Sequence, residues 1–400
     1  MTQAAVPRQV VVIGTGLIGT SAALALRRHG ADVWLWDRDP AAAALAADLG
    51  AGRVLASLGD HPGPADVALI AVPPAEVAAV LATVQRAGLA HSYTDVASVK
   101  ALPLARAREA GCDISRYVPG HPLAGRERSG PAAARADLFL GRAWALCPAP
   151  ETSGVTVATV TAMVTACGAE PVVTDADSHD RWVALISHAP HVVAAAMAAQ
   201  LAPESVPAEA LSLAGPGLRD ATRIAVGDAG LWTQILTGNA APVAAVLTAV
   251  AGDIAEAARI LAEVAQTEVT QTGVAQTGVA QTGVAQTEVA QTGPAGAPAP
   301  EASKGLTALL EHGRAGVARI PGKRGGPARA FTAVQVVISD RPGELARLFA
   351  AAADAGVNVE DVGIEHSPGA PVGVAELSVR PASAGPLINA LTVGGWPVRR

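Results

Sequence analysis

The pattern of apolar and polar positions changes character three times along the chain. Near the N-terminus, short apolar runs alternate with longer stretches rich in alanine and leucine. Residues 9–13 read QVVVI, then come Gly14, Gly16 and Gly19, an Ala/Leu-rich stretch to His29, and DVWLWDRDP. Short β-branched runs mark strands, and the longer runs between them mark helices. A strand over residues 65–72 ends at Pro73-Pro74, a helix starts at Glu76, a strand covers 93–96, and candidate strands lie at 118–119 and 143–147. This alternation predicts an α/β fold, a Rossmann-type doubly wound parallel sheet over residues 1–175.

From about Asp177 the strands stop. Residues 176–265 are alanine-rich, broken by Pro203, Pro207, Gly215–Gly217 and Gly238, and read as an all-helical domain. Two stretches, 182–203 and 229–252, carry no formal charge and reach membrane-spanning length. His188, Pro190, His191 and Gln200 interrupt the first; Gln234, Gly238, Asn239 and Pro242 interrupt the second. They read as buried helices with no membrane partner. Helices this apolar cover more than one face, which predicts a helix-mediated homodimer.

Residues 264–293 repeat Val-Ala-Gln-Thr-Gly, with valines at 264, 269, 274, 279, 284 and 289. A period of five fits neither a helix face nor strand alternation, so residues 266–330 read as a low-complexity linker. Residues 331–400 return to strand, turn, helix, strand and predict a small α+β module of βαββαβ type.

Composition narrows the function. Half the residues are apolar and the net charge is −6, with no basic cluster suited to nucleic acid or a lipid surface. Three cysteines, Cys112, Cys147 and Cys167, match no zinc spacing and no disulfide framework, so the expected setting is a reducing cytoplasm with no bound metal. The first residues lack the long apolar core of a signal peptide.

Gly14-Thr15-Gly16-Leu17-Ile18-Gly19 follows a strand and opens a helix, and Asp37 closes the second strand. That is the context of a dinucleotide site: a tight turn, close approach of a pyrophosphate, and free N–H groups at a helix N-terminus. Asp37 suits the ribose hydroxyls of NAD, while Arg38 beside it is able to pair with a 2′-phosphate. Val72, Pro73 and Asp95 end strands that face the same crevice and join the cofactor-binding candidates.

Three polar clusters follow: Thr94–Lys100 with Ser98, Gly120–Gly130 with His121, Arg126 and Glu127, and a helical set with His188, His191, Arg223, Trp232 and Asn239. A histidine with a near-neutral pKa can take a proton from an alcohol as hydride leaves. An arginine fork fits a carboxylate. Plainer readings stay open. His121 fits a turn histidine, Ser98 a helix cap, Arg223 a surface partner of Asp220, and His188 with His191 a pair of core or metal-binding histidines.

GTGLIGTS, TDVASVK, GHPLAGRERSG, SHAPH and DATRIA, in that order over about residues 9–250, resemble the prephenate/arogenate dehydrogenase family. The last block, with Asp340-Arg341-Pro342-Gly343 and Gly356-Val357-Asn358, resembles an ACT regulatory domain. The first resemblance implies NAD-dependent oxidative decarboxylation of prephenate, or of arogenate. By it, His121 polarises the substrate hydroxyl and Ser98 orients it. Arg223 holds a substrate carboxylate, His188 is a further polar contact, and Glu127 tunes charge at the pocket mouth. His191, Asp220 and Trp232 support from behind, and Arg126 departs from the small polar residue expected there. The second implies an aromatic amino-acid effector near Asp340, Gly343 and Asn358. Two rivals remain: a catalytically silent NAD-binding regulator, and a β-hydroxyacid dehydrogenase using Lys100 as its acid/base.

Overall fold

A computed structural model describes residues 6–125, 128–277, 300–320, 331–366 and 371–399. Strands β1 (Gln9–Ile13), β2 (Asp32–Trp36), β3 (Arg53–Val54), β4 (Ala65–Ile70), β5 (Ala90–Asp95) and β6 (Tyr117–Val118) form one sheet in the order β3-β2-β1-β4-β5-β6. All neighbours are parallel, with Val10 opposite both Val33 and Val67. Helices α1 (Leu17–Arg28), α2 (Pro40–Asp48), α3 (Val77–Arg86), α4 (Ala101–Glu109) and α5 (Gly154–Ala166) cover it.

The apolar run of β1 serves both faces. Val10 and Val12 enter one buried cluster with Leu26 and Met163, whereas Val11 and Ile13 enter another with Leu81 and Leu104. A strand buried on both faces cannot alternate with polar residues, so QVVVI is continuous. The doubly wound sheet anticipated for the first 175 residues is therefore present.

A second sheet is an addition to that expectation. Strands β7 (Gly120–Pro122), β8 (Ala143–Leu146) and β9 (Glu170–Val173) form it, with β7 antiparallel and β9 parallel to β8. Strand β9, EPVV, is exposed along its length and carries no buried alternation to announce it. His121 sits in the middle of β7, opposite Ala145.

The helical region runs through α6 (Ala176–Val183), a single π-helical turn (Ala184–His188), α7 (Ala189–Ala199), α8 (Ala208–Ser212), α9 (Pro216–Thr222), a 3-10 turn (Arg223–Val226), α10 (Ala229–Gly238) and α11 (Ala240–Thr277). Two helical spans, Ala176–Ala199 and Ala240–Gln266, are long and apolar enough to cross a membrane by length and composition alone. Leu185, Ile186, Met197 and Val226 stand exposed in the protomer.

The chain divides into two compact units, residues 1–252 and 253–400. In the second, the expected linker over 266–330 is partly helical. Helix α11 continues to Thr277, because extending an existing helix costs far less than starting one. Helix α12 (Pro300–Ala318) contributes Leu306 and Leu309 to a groove shared with Ala257 and Ile260 of α11. Leu306, Leu309 and Leu310 have helical spacing, a signal overshadowed by the neighbouring repeat.

The last module, β10 (Thr332–Ser339), α13 (Glu344–Asp354), β11 (Asp361–His366), β12 (Val372–Val379), α14 (Pro381–Val393) and β13 (Val398–Arg399), has the βαββαβ order expected. Its four strands pair antiparallel in the order β11-β12-β10-β13 over a core containing Val336, Leu348, Leu377 and Leu387. One expectation fails here. Asp340 follows Ser339, which pairs with Val372, whereas Asn358 precedes Asp361, which pairs with Ser378 near the start of β10. Asp340 and Gly343 therefore lie at one end of the sheet and Asn358 at the other, on the order of 20 Å apart along the strand. Within one module they do not make a single effector pocket.

Candidate active site

The glycine loop shows which parts of a nucleotide site the chain itself demands. Gly14 has φ +97°, and a Cβ there would collide with the Ala71 carbonyl; a Cβ at Gly19 would collide with the Gly14 carbonyl. Those two glycines are required by packing of strand, turn and helix. Gly16 is different: a Cβ there meets nothing within 4 Å. Its bareness leaves open space at the N-terminus of α1, where Leu17 and Ile18 begin the helix and free N–H groups face outward. The cradle fits a pyrophosphate.

Asp37 accepts from Thr15 N at 2.6 Å and Thr15 Oγ1 at 3.0 Å, so the acidic end of β2 is locked to the loop. Arg38 pairs with Glu76 at 3.2 Å on the surface. Val72 and Pro73 follow β4, partly buried, on the same side.

Asp95 requires a correction. It is 0% exposed, and both oxygens are consumed within the protein. Oδ1 accepts from Lys100 Nζ at 2.5 Å and Ala97 N at 2.8 Å; Oδ2 accepts from Tyr117 OH at 2.6 Å and Gly120 N at 3.3 Å. No oxygen remains for a cofactor. Lys100 Nζ also donates to the Gly120 carbonyl at 2.5 Å, and Lys100 is itself 0% exposed. A buried ammonium with a carboxylate and a carbonyl as partners holds β5 to β7, the strand that carries His121. It is not placed as a solvent-facing acid/base, which removes the hydroxyacid-dehydrogenase reading.

His121 Nδ1 lies 2.9 Å from His179 Nε2, and His179 Nδ1 lies 2.8 Å from Asp180 Oδ1. Asp180 also accepts from the backbone N–H groups of Lys100 (2.8 Å) and Ala101 (2.9 Å), capping α4 from another element. Ser98 therefore is not the cap, and the atom that orients His121 belongs to His179 rather than Ser98. Ser98 stands half-buried in the loop after β5.

This row of bonds fixes the tautomers. A carboxylate only accepts, so His179 Nδ1 carries a proton, and with the ring neutral its Nε2 accepts. His121 Nδ1 must then donate, which leaves His121 Nε2 as an unprotonated acceptor. That nitrogen has no partner among the described residues. Burial, then His179, Lys100 and His188, hold the His121 pKa well below its ordinary value. The ring is a neutral base at neutral pH.

His188 is 1% exposed, and Asn239 Nδ2 meets its Nδ1 at 3.1 Å while also donating to the Asp180 carbonyl at 2.7 Å. Burial pulls His188 down to about 4, with Asp180 opposing and His179 adding to the effect. His191 stacks on Trp232 with ring centres 3.5 Å apart, and burial lowers its pKa. Gly227 abuts both rings, and a Cβ there would strike Trp232. Arg223, four residues earlier, starts the 3-10 turn packed on α7 and is exposed in the protomer. Arg126 and Glu127 lie outside the described residues.

The structure thus links His121, His188 and Asn239 with two residues the sequence reading passed over, His179 and Asp180, and sets Trp232, stacked on His191, beside His188. A signal existed. His179-Asp180-Arg181 are the last charged or titrating residues before the charge-free run, and a buried acid next to a histidine needs a partner.

Comparison with known proteins bears on the fold and the family. Residues 22–173 match the nucleotide-binding domain of prephenate dehydrogenase, and residues 175–272 match its dimerization domain. The probable prephenate dehydrogenase NovF of Streptomyces niveus is 38% identical over 392 residues, covering 98% of this chain and 99% of that protein. A putative prephenate dehydrogenase structure from Corynebacterium glutamicum superimposes with a TM-score of 0.59 at 26% identity, covering 80% of this chain and 91% of that one. The prephenate dehydrogenase of A. aeolicus, solved with hydroxyphenyl propionate and NAD+, shares the fold with a TM-score of 0.59 at 24% identity, over 70% of this chain and all of that one. With both domains matched and a relative spanning its whole length, the chain belongs to the prephenate dehydrogenase family.

Proposed function

We propose that this protein is an NAD-dependent prephenate dehydrogenase, and that His121 is its base. The observation that carries the reading is the row His121–His179–Asp180, which leaves the His121 Nε2 lone pair without a partner among the described residues. When bound at the glycine loop, NAD supplies the acceptor for hydride. His121 Nε2 takes the proton of the substrate C4 hydroxyl as the C4 hydride leaves. The ring C1–carboxylate bond then breaks, its electron pair completes the aromatic ring and leaves the C4 oxygen as a phenolate, CO2 departs, and the phenolate takes back the proton held by His121. The products are 4-hydroxyphenylpyruvate, CO2 and NADH.

His179, held in turn by Asp180, keeps His121 in the receptive tautomer. Ser98 is proposed to touch the substrate hydroxyl, and Arg223 to meet a carboxylate. Arg223→Ala is expected to raise KM for prephenate more than it lowers kcat. Asp37 favours NAD, and the Arg38–Glu76 pair supports that choice by occupying the guanidinium. The apolar faces bearing Leu185, Ile186 and Met197 are proposed to be covered by a second copy of the chain.

The test is NADH formation from prephenate and arogenate side by side, with NAD and with NADP. Turnover of prephenate with NAD is expected. No reduction of NAD by either substrate would overturn the assignment, and faster turnover of arogenate would redirect it.

A further inference from the structure

The helix that carries the histidines is not regular. Between α6 and α7 one turn is wound as a π-helix, Ala184–His188, and the Ala189 N–H donates to the Ala184 carbonyl five residues back. Pro190 follows directly. Proline inside an α-helix has no N–H to give, and its ring clashes with the carbonyl four residues earlier, here Ile186. A wider turn just before it relieves that clash.

The wider turn changes which side chains share a face. Asp180 and His188 are eight positions apart, about 80° out of line on a regular helix. One extra residue in the turn makes them equivalent to seven apart, about 20° out of line. A single buried amide shows the result: Asn239 Nδ2 reaches the Asp180 carbonyl at 2.7 Å and His188 Nδ1 at 3.1 Å. The extra length is taken up at Leu185 and Ile186, which are 61% and 63% exposed in the protomer.

We propose that Pro190 is a positioning residue: by enforcing the π-turn it rotates His188 onto the face of Asp180 and Asn239, and so sets the surroundings of His121. Pro190 touches no reacting atom. It acts through the phase of the helix. The catalytic consequence rests on the function proposed above, whereas the rotation itself does not.

The test uses the full chain and two variants. Pro190→Ala lets the segment relax to an α-helix and should lower kcat for prephenate about 10- to 100-fold, the scale of an ångström-sized misplacement. NAD affinity should be unchanged and the unfolding midpoint no lower. Pro190→Ala combined with deletion of Ile186 removes the extra residue and restores the phase, so activity should recover to near the wild-type level. A merely structural proline would give a lower midpoint and no rescue.

A spectroscopic signature separates the two levels of the argument. Followed by NMR, the His188 ring should titrate near its depressed value in the wild type and closer to an ordinary histidine in Pro190→Ala. If Pro190→Ala keeps both wild-type kcat and wild-type His188 titration, or if the double variant is as slow as the single one, the proposal is wrong. If wild-type protein does not turn over prephenate, the function fails, while the titration still decides the rotation.

Discussion

The glycine loop and the histidine cluster lie in one compact unit but are made in opposite ways. The loop is built mainly by the backbone, with the glycines fixed by carbonyls that crowd them. Gly19 is forced by the Gly14 carbonyl within the loop, Gly14 by the Ala71 carbonyl at the end of the neighbouring strand β4, and Asp37 is tied back to Thr15. The cluster is built by side chains brought together over long distances. His121 and His179 are 58 residues apart, and His188 and Asn239 are 51 apart. The first arrangement tolerates change at its open face and fails abruptly elsewhere. The second degrades in proportion to how far a ring moves or how far its charge is altered. Binding and chemistry should therefore respond separately to mutation.

The largest separation is expected at His121. His121→Asn removes the base and should cut kcat about 10³-fold, within the range of general-base catalysis, with NAD affinity retained. Loss of NAD binding in that variant would merge the two regions and break the comparison. Next comes the buried ion pair beneath the histidine strand. Lys100→Ala leaves Asp95 charged and unpaired in the interior and should destabilise the fold by about 3–5 kcal/mol in chemical denaturation. If stability is retained and only turnover is lost, Lys100 has a chemical role after all.

On the loop side, Gly16→Ala should leave the melting temperature unchanged and weaken NAD roughly ten-fold, about 1.4 kcal/mol. Gly14→Ala should damage the fold itself. Equal behaviour of the two would mean that the open space at Gly16 is not where the pyrophosphate sits.

A further effect concerns pH and stability. His188 is pushed down to about 4 in the folded protein against an ordinary 6.5, so the unfolded chain binds more protons between those values. The stabilisation is fully present above pH 6.5. It declines as pH falls and is gone below about 4, a change on the order of 2–3 kcal/mol. His188→Gln should flatten that slope, which urea unfolding at pH 7 and pH 4.5 would reveal.

What could be read in the sequence follows the same division. The glycine loop, Asp37 and the alternating strands were legible because their spacing in the chain is short and regular, although the carbonyl that forbids a side chain at Gly14 belongs to Ala71 on another strand. The candidate histidines were legible as types and motifs, but their partners were not. Nothing local says that His121 leans on His179, or that Asp95, at the end of a strand facing the crevice, turns inward to Lys100. The end-to-end separation of Asp340 and Asn358 depends on strand pairing, which sequence proximity to α13 concealed. Helix α12 was hidden by the composition of the repeat beside it. The π-turn left one local mark, a proline in mid-helix, whose effect on phase appears only once both ends of the helix have partners.

The central claim is that His121 is a neutral base in the free enzyme, kept so by burial and by the neighbouring imidazoles and ammonium. The pH dependence of kcat/KM for prephenate at saturating NAD reads it most directly. The account predicts a plateau that continues below pH 6.5 before any acidic decline. Activity that falls away with an apparent pKa at or above 6.5, or that rises as the ring is protonated, would contradict it.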